Sequence, residues 1–301
     1  MEKRRILIVL LLTVFFVASA LFVYSASQAQ LTMDNGDKIN VIVSIPPEAE
    51  FVEKVGGNKV KVTTMVPKGS NPHTYEPLPE QLKEVSNARI YFQVGSGLEF
   101  ENVWMDNLKE TNKNMLVVNC SDGITFIPNQ ENDEHQSENQ YDAHVWVSPR
   151  NAKIMVENIY QNLSKLDPAN EGYYRINKDK YLAELNNTDK NINKSLENEK
   201  NRKILVYHPA WGYFCRDYNL TQISIEKDGK EPTPQGMSSL VEQAKKENIK
   251  VIFISSQYNS NSANAVASEI GGQVVYIDDL DKNYLQNINK VAEAFKNALN
   301  S

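Results

Sequence analysis

The sequence predicts an α/β fold: two βα lobes with parallel sheets, joined by one long rigid helix. Three observations carry that expectation. β-branched apolar runs alternate with helical patterns from INVIVSI (39–45) to NMLVVNC (114–120). The alternation stops, and then resumes from KILVYHP (203–209) to the end of the chain. Between the two series, residues 170–199 hold apolar residues among many Lys, Glu and Asn, with no Gly or Pro after Gly172.

The first series reads strand, helix, strand. INVIVSI is an apolar β run, Pro47 to Val55 suits a short helix ended by Gly56 and Gly57, and VKVTTMV is a second strand. Leu78 to Val85 suits a helix, ARIYFQVG a third strand, Glu99 to Leu108 a helix and NMLVVNC a fourth strand. Such alternation implies a parallel sheet with helices on both faces. Residues 128–142 (PNQENDEHQSENQYD) break it with a polar, aperiodic loop.

His144 follows in a short apolar run that could be a strand of its own. SPRNAKIMVENIYQNLSKL then places Ile154, Ile159, Leu163 and Leu166 at helical spacing, and Asp167-Pro168 ends it. The segment 170–199 reads as a helix of about eight turns, on the order of 45 Å, and a helix so polar often bridges domains. The second series runs strand (KILVY), helix (Trp211 to Tyr218), strand (LTQISIE), helix (Met237 to Glu247), strand (KVIFISS), helix (Ala263 to Ile270), strand (QVVYID) and helix (Leu285 to Leu299). The expected division is residues 38–168 for the first lobe, 169–200 for the linker helix and 201–301 for the second lobe.

Residues 1–29 read as a targeting segment. Lys3, Arg4 and Arg5 precede a charge-free run from Ile6 to Val23, followed by small residues. Its 18 residues suit either a cleaved signal peptide or an uncleaved anchor. No cysteine follows the run to carry a lipid. The rest of the chain is expected outside the cytoplasmic membrane, periplasmic or at the cell surface.

The 301 residues carry a net charge of −6, which becomes −8 without the three basic and one acidic residues of 1–29. That acidity argues against a nucleic-acid partner. Cys120 and Cys215 could form one bridge, but buried thiols suit them better. Five N-x-S/T sites (Asn119, Asn162, Asn186, Asn193 and Asn219) would admit glycosylation.

Only four histidines occur, and three close or follow β-like runs: His73 in NPHTYEP, His144 in YDAHVWVSP and His208 in LVYHPAWGYF. Ligands of open α/β sheets bind beyond the carboxyl ends of the strands. His73, His208 and Asp278 all follow such ends, so the four residues would meet in the cleft. Three imidazoles and a carboxylate make a four-coordinate set suited to Zn²⁺. Asp279 and Asp281 compete with Asp278 for the fourth position. Glu76 and Glu99 read as surface charges, Tyr75, Trp146 and Trp211 as core aromatics, and His135 as a solvated loop residue.

The segments SIPPEAEFVEKVGG, VTTMVPKGSNPHTYEP, DAHVWVSPRNA, VYHPAWGYF and EPTPQGMSSL resemble those of the zinc- and manganese-specific solute-binding proteins of ABC transporters. The resemblance covers nearly the whole chain beyond residue 30, in order. It implies two βα lobes on one long helix, with His73, His144, His208 and Asp278 as metal ligands. Zn²⁺ would be the bound substrate, with Mn²⁺ (or Fe²⁺) as the alternative; a histidine at 208, where manganese members often carry Glu, favours zinc.

The chain departs from that pattern in three places. Ser255 stands where an acidic residue is common, Asp279 where a proline usually follows the ligand Asp, and the His-rich loop of many zinc members is reduced to His135. The implied partners are a membrane permease and its ATPase. No GxxxxGK[ST] loop occurs, so the ATPase is expected on a separate chain, and the receptor itself as a monomer. Two functions of other classes stay in view: a secreted zinc hydrolase, against which stands the absence of HExxH, and a cell-surface adhesin.

Overall fold

The computed structural model describes residues 38–129, 140–226 and 230–300. The targeting segment 1–29 and His135 lie outside them. The first series forms β1 (Ile39–Val43), α1 (Pro46–Gly56), β2 (Val60–Thr64), α2 (Pro79–Ser86), β3 (Ile90–Gln93), α3 (Glu99–Thr111) and β4 (Leu116–Asn119). After the polar loop come α4 (Pro149–Leu166) and α5 (Glu171–Leu196). The second series forms β5 (Lys203–Val206), α6 (Gly212–Asp217), β6 (Thr221–Ser224), α7 (Pro234–Lys246), β7 (Val251–Ile254), α8 (Asn261–Ile270), β8 (Gln273–Tyr276) and α9 (Tyr284–Leu299).

The two sheets have the same topology, β2-β1-β3-β4 and β6-β5-β7-β8, and every strand pair is parallel. The central strands β1 and β7 are apolar and buried along most of their length, as strands covered on both faces must be. Each sheet therefore directs its strand carboxyl ends, and the loops that follow them, to one edge.

The linker α5 has 26 residues, about 39 Å long. Tyr174, Tyr181, Leu185, Thr188, Ile192 and Leu196 are its buried stripe, and the remaining residues are half-buried or exposed. It ties both lobes. Tyr181 donates its hydroxyl to Glu50 of α1 at 2.8 Å, and the other oxygen of Glu50 accepts from Tyr284 N at the start of α9 at 2.7 Å. Asp189 accepts from Arg150 and Lys153 of α4 and from Tyr218 after α6.

One apolar core runs from Val41, Phe92 and Trp146 through the linker to Trp211, Phe214 and Phe295. A second cluster, with Leu205, Ile252 and Val266, covers the outer face of the second sheet. Cys120 and Cys215 are separate buried thiols. Among the described residues no helix is long and apolar enough to cross a membrane.

Two expectations change. The run after His144 is a 3-10 turn, Val145–Val147, instead of a strand. Its three residues are fully buried between the lobes, and their backbone turns into α4 at Ser148, whose Oγ caps the helix by accepting from Asn151 N at 3.1 Å. α7 begins three residues earlier than Met237, because Thr233 accepts from Gly236 N at 3.2 Å and Pro234 sits where a helix tolerates proline.

Candidate metal centre

His73 lies in the loop after β2. Gln81 of α2 holds both ends of that loop: its amide donates to Thr64 O and Met65 O, and its oxygen accepts from Leu78 N and the Tyr75 hydroxyl. His73 N donates to Asn71 Oδ1 at 2.9 Å, fixing the backbone from which the ring projects. His144 precedes the 3-10 turn, and the neighbouring carbonyl of Ala143 accepts from Ser96 Oγ. His208 follows β5 directly.

These loops bring the three rings together. Ring centroids are 5.7 Å apart for His73 and His144, 5.0 Å for His73 and His208, and 5.0 Å for His144 and His208. One ligand nitrogen from each lies within 4.8 Å of the other two. His144 Nε2 and His208 Nε2 face each other at 3.2 Å.

Each ring has a carboxylate on its Nδ1 side. The distances are 2.7 Å from His73 to Glu99, 2.8 Å from His144 to Asp142 and 3.2 Å from His208 to Glu226. A carboxylate accepts and cannot donate, so each favours the proton on Nδ1, the tautomer in which a neutral ring leaves Nε2 free to bind a metal. His73 Nε2 is buried and has no hydrogen-bond partner among the described residues. This carboxylate–imidazole arrangement is how proteins orient metal-binding histidines and strengthen them as donors.

The electrostatics separate the rings. Burial and the neighbouring His144 and His73 hold His208 well below the usual imidazole range, so it stays neutral. Burial acts in the same direction on His144, but Asp142, Asp279 and Glu99 together outweigh it and raise its pKa. Burial would raise Glu99, yet its hydrogen bond and proximity to His73 bring it lower than an ordinary carboxyl.

The two candidate aspartates take different places. Asp278 Oδ1 accepts from Leu280 N at 2.8 Å, closing a turn, and the charges bearing on Asp278 are Asp279, Asp281 and Lys68. Asp279 is the carboxylate whose charge acts on His144 and His208. It is buried, and its Oδ1 accepts from Gln257 Nε2 at 3.2 Å. The atoms that lie within 4.8 Å of one another are those of His73, His144 and His208; neither Asp278 nor Asp279 belongs to that set.

Sequence reasoning passed over the carboxylate partners. Glu99 reads as a surface charge but hydrogen-bonds His73. Asp142 could have been found, because D-x-H places an Asp side chain within reach of the amide two residues on, and its Oδ1 accepts from His144 N at 2.9 Å. Glu226 lies beyond β6, and only the parallel pairing of β5 with β6 brings it beside His208. Ser255 does not replace the acidic residue usual at its position; it donates to Gln257, which reaches Asp279. Tyr258 stacks on His208 at 4.9 Å and closes that side.

Residues 41–298 match the family model described as zinc-uptake complex component A, periplasmic (ZnuA). The high-affinity zinc uptake system protein ZnuA of Bacillus subtilis is 28% identical over 258 residues, covering 82% of this chain and 80% of that protein. The manganese ABC transporter substrate-binding lipoprotein scaA of Streptococcus gordonii is 30% identical over 282 residues, covering 89% and 87%. A crystal structure of ZnuA superposes with a TM-score of 0.83 at 38% identity, covering 87% of this chain and all of that one.

Proposed function

Because the chain belongs to the zinc-uptake complex component A family, we propose that it is the extracytoplasmic solute-binding protein of an ABC transporter, capturing Zn²⁺ between its lobes for uptake. The observation that carries this is the convergence of His73, His144 and His208, each with a carboxylate on its Nδ1 side. The three Nε2 atoms are the protein's metal donors. Of the two candidate aspartates, Asp279 is the one whose charge bears on His144 and His208, beside that of Asp142, and we assign it the fourth position in place of Asp278.

Four protein donors close a tetrahedral site and leave no position for a catalytic water. Capture, not hydrolysis, is what this arrangement performs. Nitrogen-rich donors suit Zn²⁺ better than Mn²⁺, although Zn²⁺ outbinds Mn²⁺ at most sites and availability decides in cells. A permease with a separate ATPase would take the metal from the cleft, and a monomer suffices for delivery.

The test is competitive titration of metal-free protein with Zn²⁺ and Mn²⁺, beside His208→Ala. Tight zinc binding that His208→Ala weakens by orders of magnitude, with the fold intact, is expected. A preference for Mn²⁺ would overturn the zinc assignment, and unchanged zinc affinity in the variant would overturn the site.

A further inference from the structure

The segment from His208 to Tyr213 brings more than a ligand to the cleft. Gly212, the first residue of α6, lies against Asp142, the carboxylate partner of His144. A Cβ placed on Gly212 would stand 2.4 Å from Asp142 Oδ2 and 3.6 Å from its Cγ, and the first of these is closer than real Cβ contacts allow.

A side-chain end can often swing away from such a contact. Asp142 is not free to do so. Its Oδ1 accepts from both the amide and the ring of His144, at 2.9 and 2.8 Å. Its backbone is held from two directions: Asp142 N donates to Ile127 O at 3.0 Å, and the Tyr213 hydroxyl donates to Asp142 O at 2.8 Å. The two oxygens of one carboxylate move together, so displacing Oδ2 breaks the alignment of Oδ1 with His144.

We propose that Gly212 is a positioning residue for metal capture, because the space left by its missing side chain seats Asp142 against His144. The inference rests on His144 being a metal ligand. His208 and the seat of Asp142 are carried by one segment of the second lobe, whereas Asp142 and His144 belong to the first. Separating the lobes therefore withdraws one ligand and loosens the orienting partner of another in the same movement.

The backbone at Gly212 does not demand glycine. Its φ is not among the positive values found at other glycines, and alanine favours helix over glycine. A loss caused by Gly212→Ala would thus come from the contact with Asp142.

A double-mutant cycle in the full chain tests this: Gly212→Ala, Asp142→Ala and the pair, each titrated with Zn²⁺ against a chelator, with thermal unfolding of the metal-free forms. Asp142→Ala is expected to weaken zinc binding about 10–100-fold, the usual cost of removing an outer partner of a ligating histidine. Gly212→Ala should weaken it at least about tenfold, and should change it less than about twofold when Asp142 is already alanine. Equal losses in both backgrounds, unfolding in both backgrounds, or parental affinity in Gly212→Ala would overturn the proposal. If the parent does not bind zinc, or Asp142→Ala binds as the parent does, the reading of the site itself fails.

Discussion

The indole of Trp146 donates from Nε1 to the main-chain oxygen of Asp279 at 2.8 Å, joining the loop that carries one histidine to the segment that carries the candidate fourth ligand. Trp146 is fully buried, so the bond is shielded from water. Trp146→Phe keeps most of the ring and removes the donor, leaving a buried carbonyl without its partner. A lost hydrogen bond of this kind costs about 1–3 kcal/mol. Zinc affinity in competition titrations should fall at least about fivefold, with the metal-free protein still folded. Parental affinity would show that the indole holds nothing the site needs.

Asp278 and Asp279 are separable by the same titration. Asp279→Asn removes the anion that acts on His144 and His208, and should weaken zinc binding by about tenfold or more. Asp278→Asn replaces a carboxylate whose partner is Leu280 N, which an amide oxygen can also satisfy. Affinity should then stay within about threefold of the parent. The reverse ranking would return the fourth position to Asp278.

Acid should release the metal. A metal needs neutral imidazoles, and protons compete for them. His144 has a raised pKa, so its proton begins to compete above the ordinary imidazole value of about 6.5. Zinc affinity should therefore decline as pH falls from about 8 towards 6, and decline further below that. Glu226→Gln should lower affinity about 10–100-fold at pH 8, because His208 loses the carboxylate that orients its ring. An affinity independent of pH across this interval would contradict imidazole ligation.

A second pH effect belongs to the first lobe alone. Glu48 accepts from Ser44 N and Ile45 N at the start of α1, and Glu101 accepts from Val94 N and Gly95 N after β3; both side chains are buried. Burial raises both pKa values, and for Glu48 the charge of Glu101 raises it further. A carboxyl with a raised folded-state value binds more protons folded than unfolded, so its contribution to stability is complete below the unfolded value of about 4.5 and is lost as pH rises through the folded one. The metal-free protein should accordingly lose stability as pH rises above about 4.5, and Glu48→Gln should flatten that slope. Denaturant melts at several pH values check this, and equal slopes in parent and variant would refute it.

Much of this was open to reading along the chain. Alternating β-branched runs and helical spacing locate the eight strands of the described residues; β7, buried along its whole length, is continuously apolar, and the edge strands are marked by their β-branched residues instead. His73 and His208 follow from their position beyond strand ends, whereas His144, ahead of the 3-10 turn Val145–Val147, does not. The choice between Asp278 and Asp279 was left open by the sequence, since it depends on which way the backbone rotates on leaving β8. Glu226 becomes a partner of His208 only through strand pairing, and Glu99 only through the close approach of the 65–78 loop to the start of α3. Gly212 carries no pattern at all, since what matters there is an atom it lacks.

The donors around the metal decide whether His73, His144 and His208 capture it. X-ray absorption at the zinc edge of the loaded protein measures them directly. It should show three imidazole nitrogens and one carboxylate oxygen at about 2.0–2.2 Å, with two imidazoles remaining in whatever zinc His208→Ala retains. A shell with fewer than three imidazoles, or one unchanged in His208→Ala, would contradict capture by His73, His144 and His208.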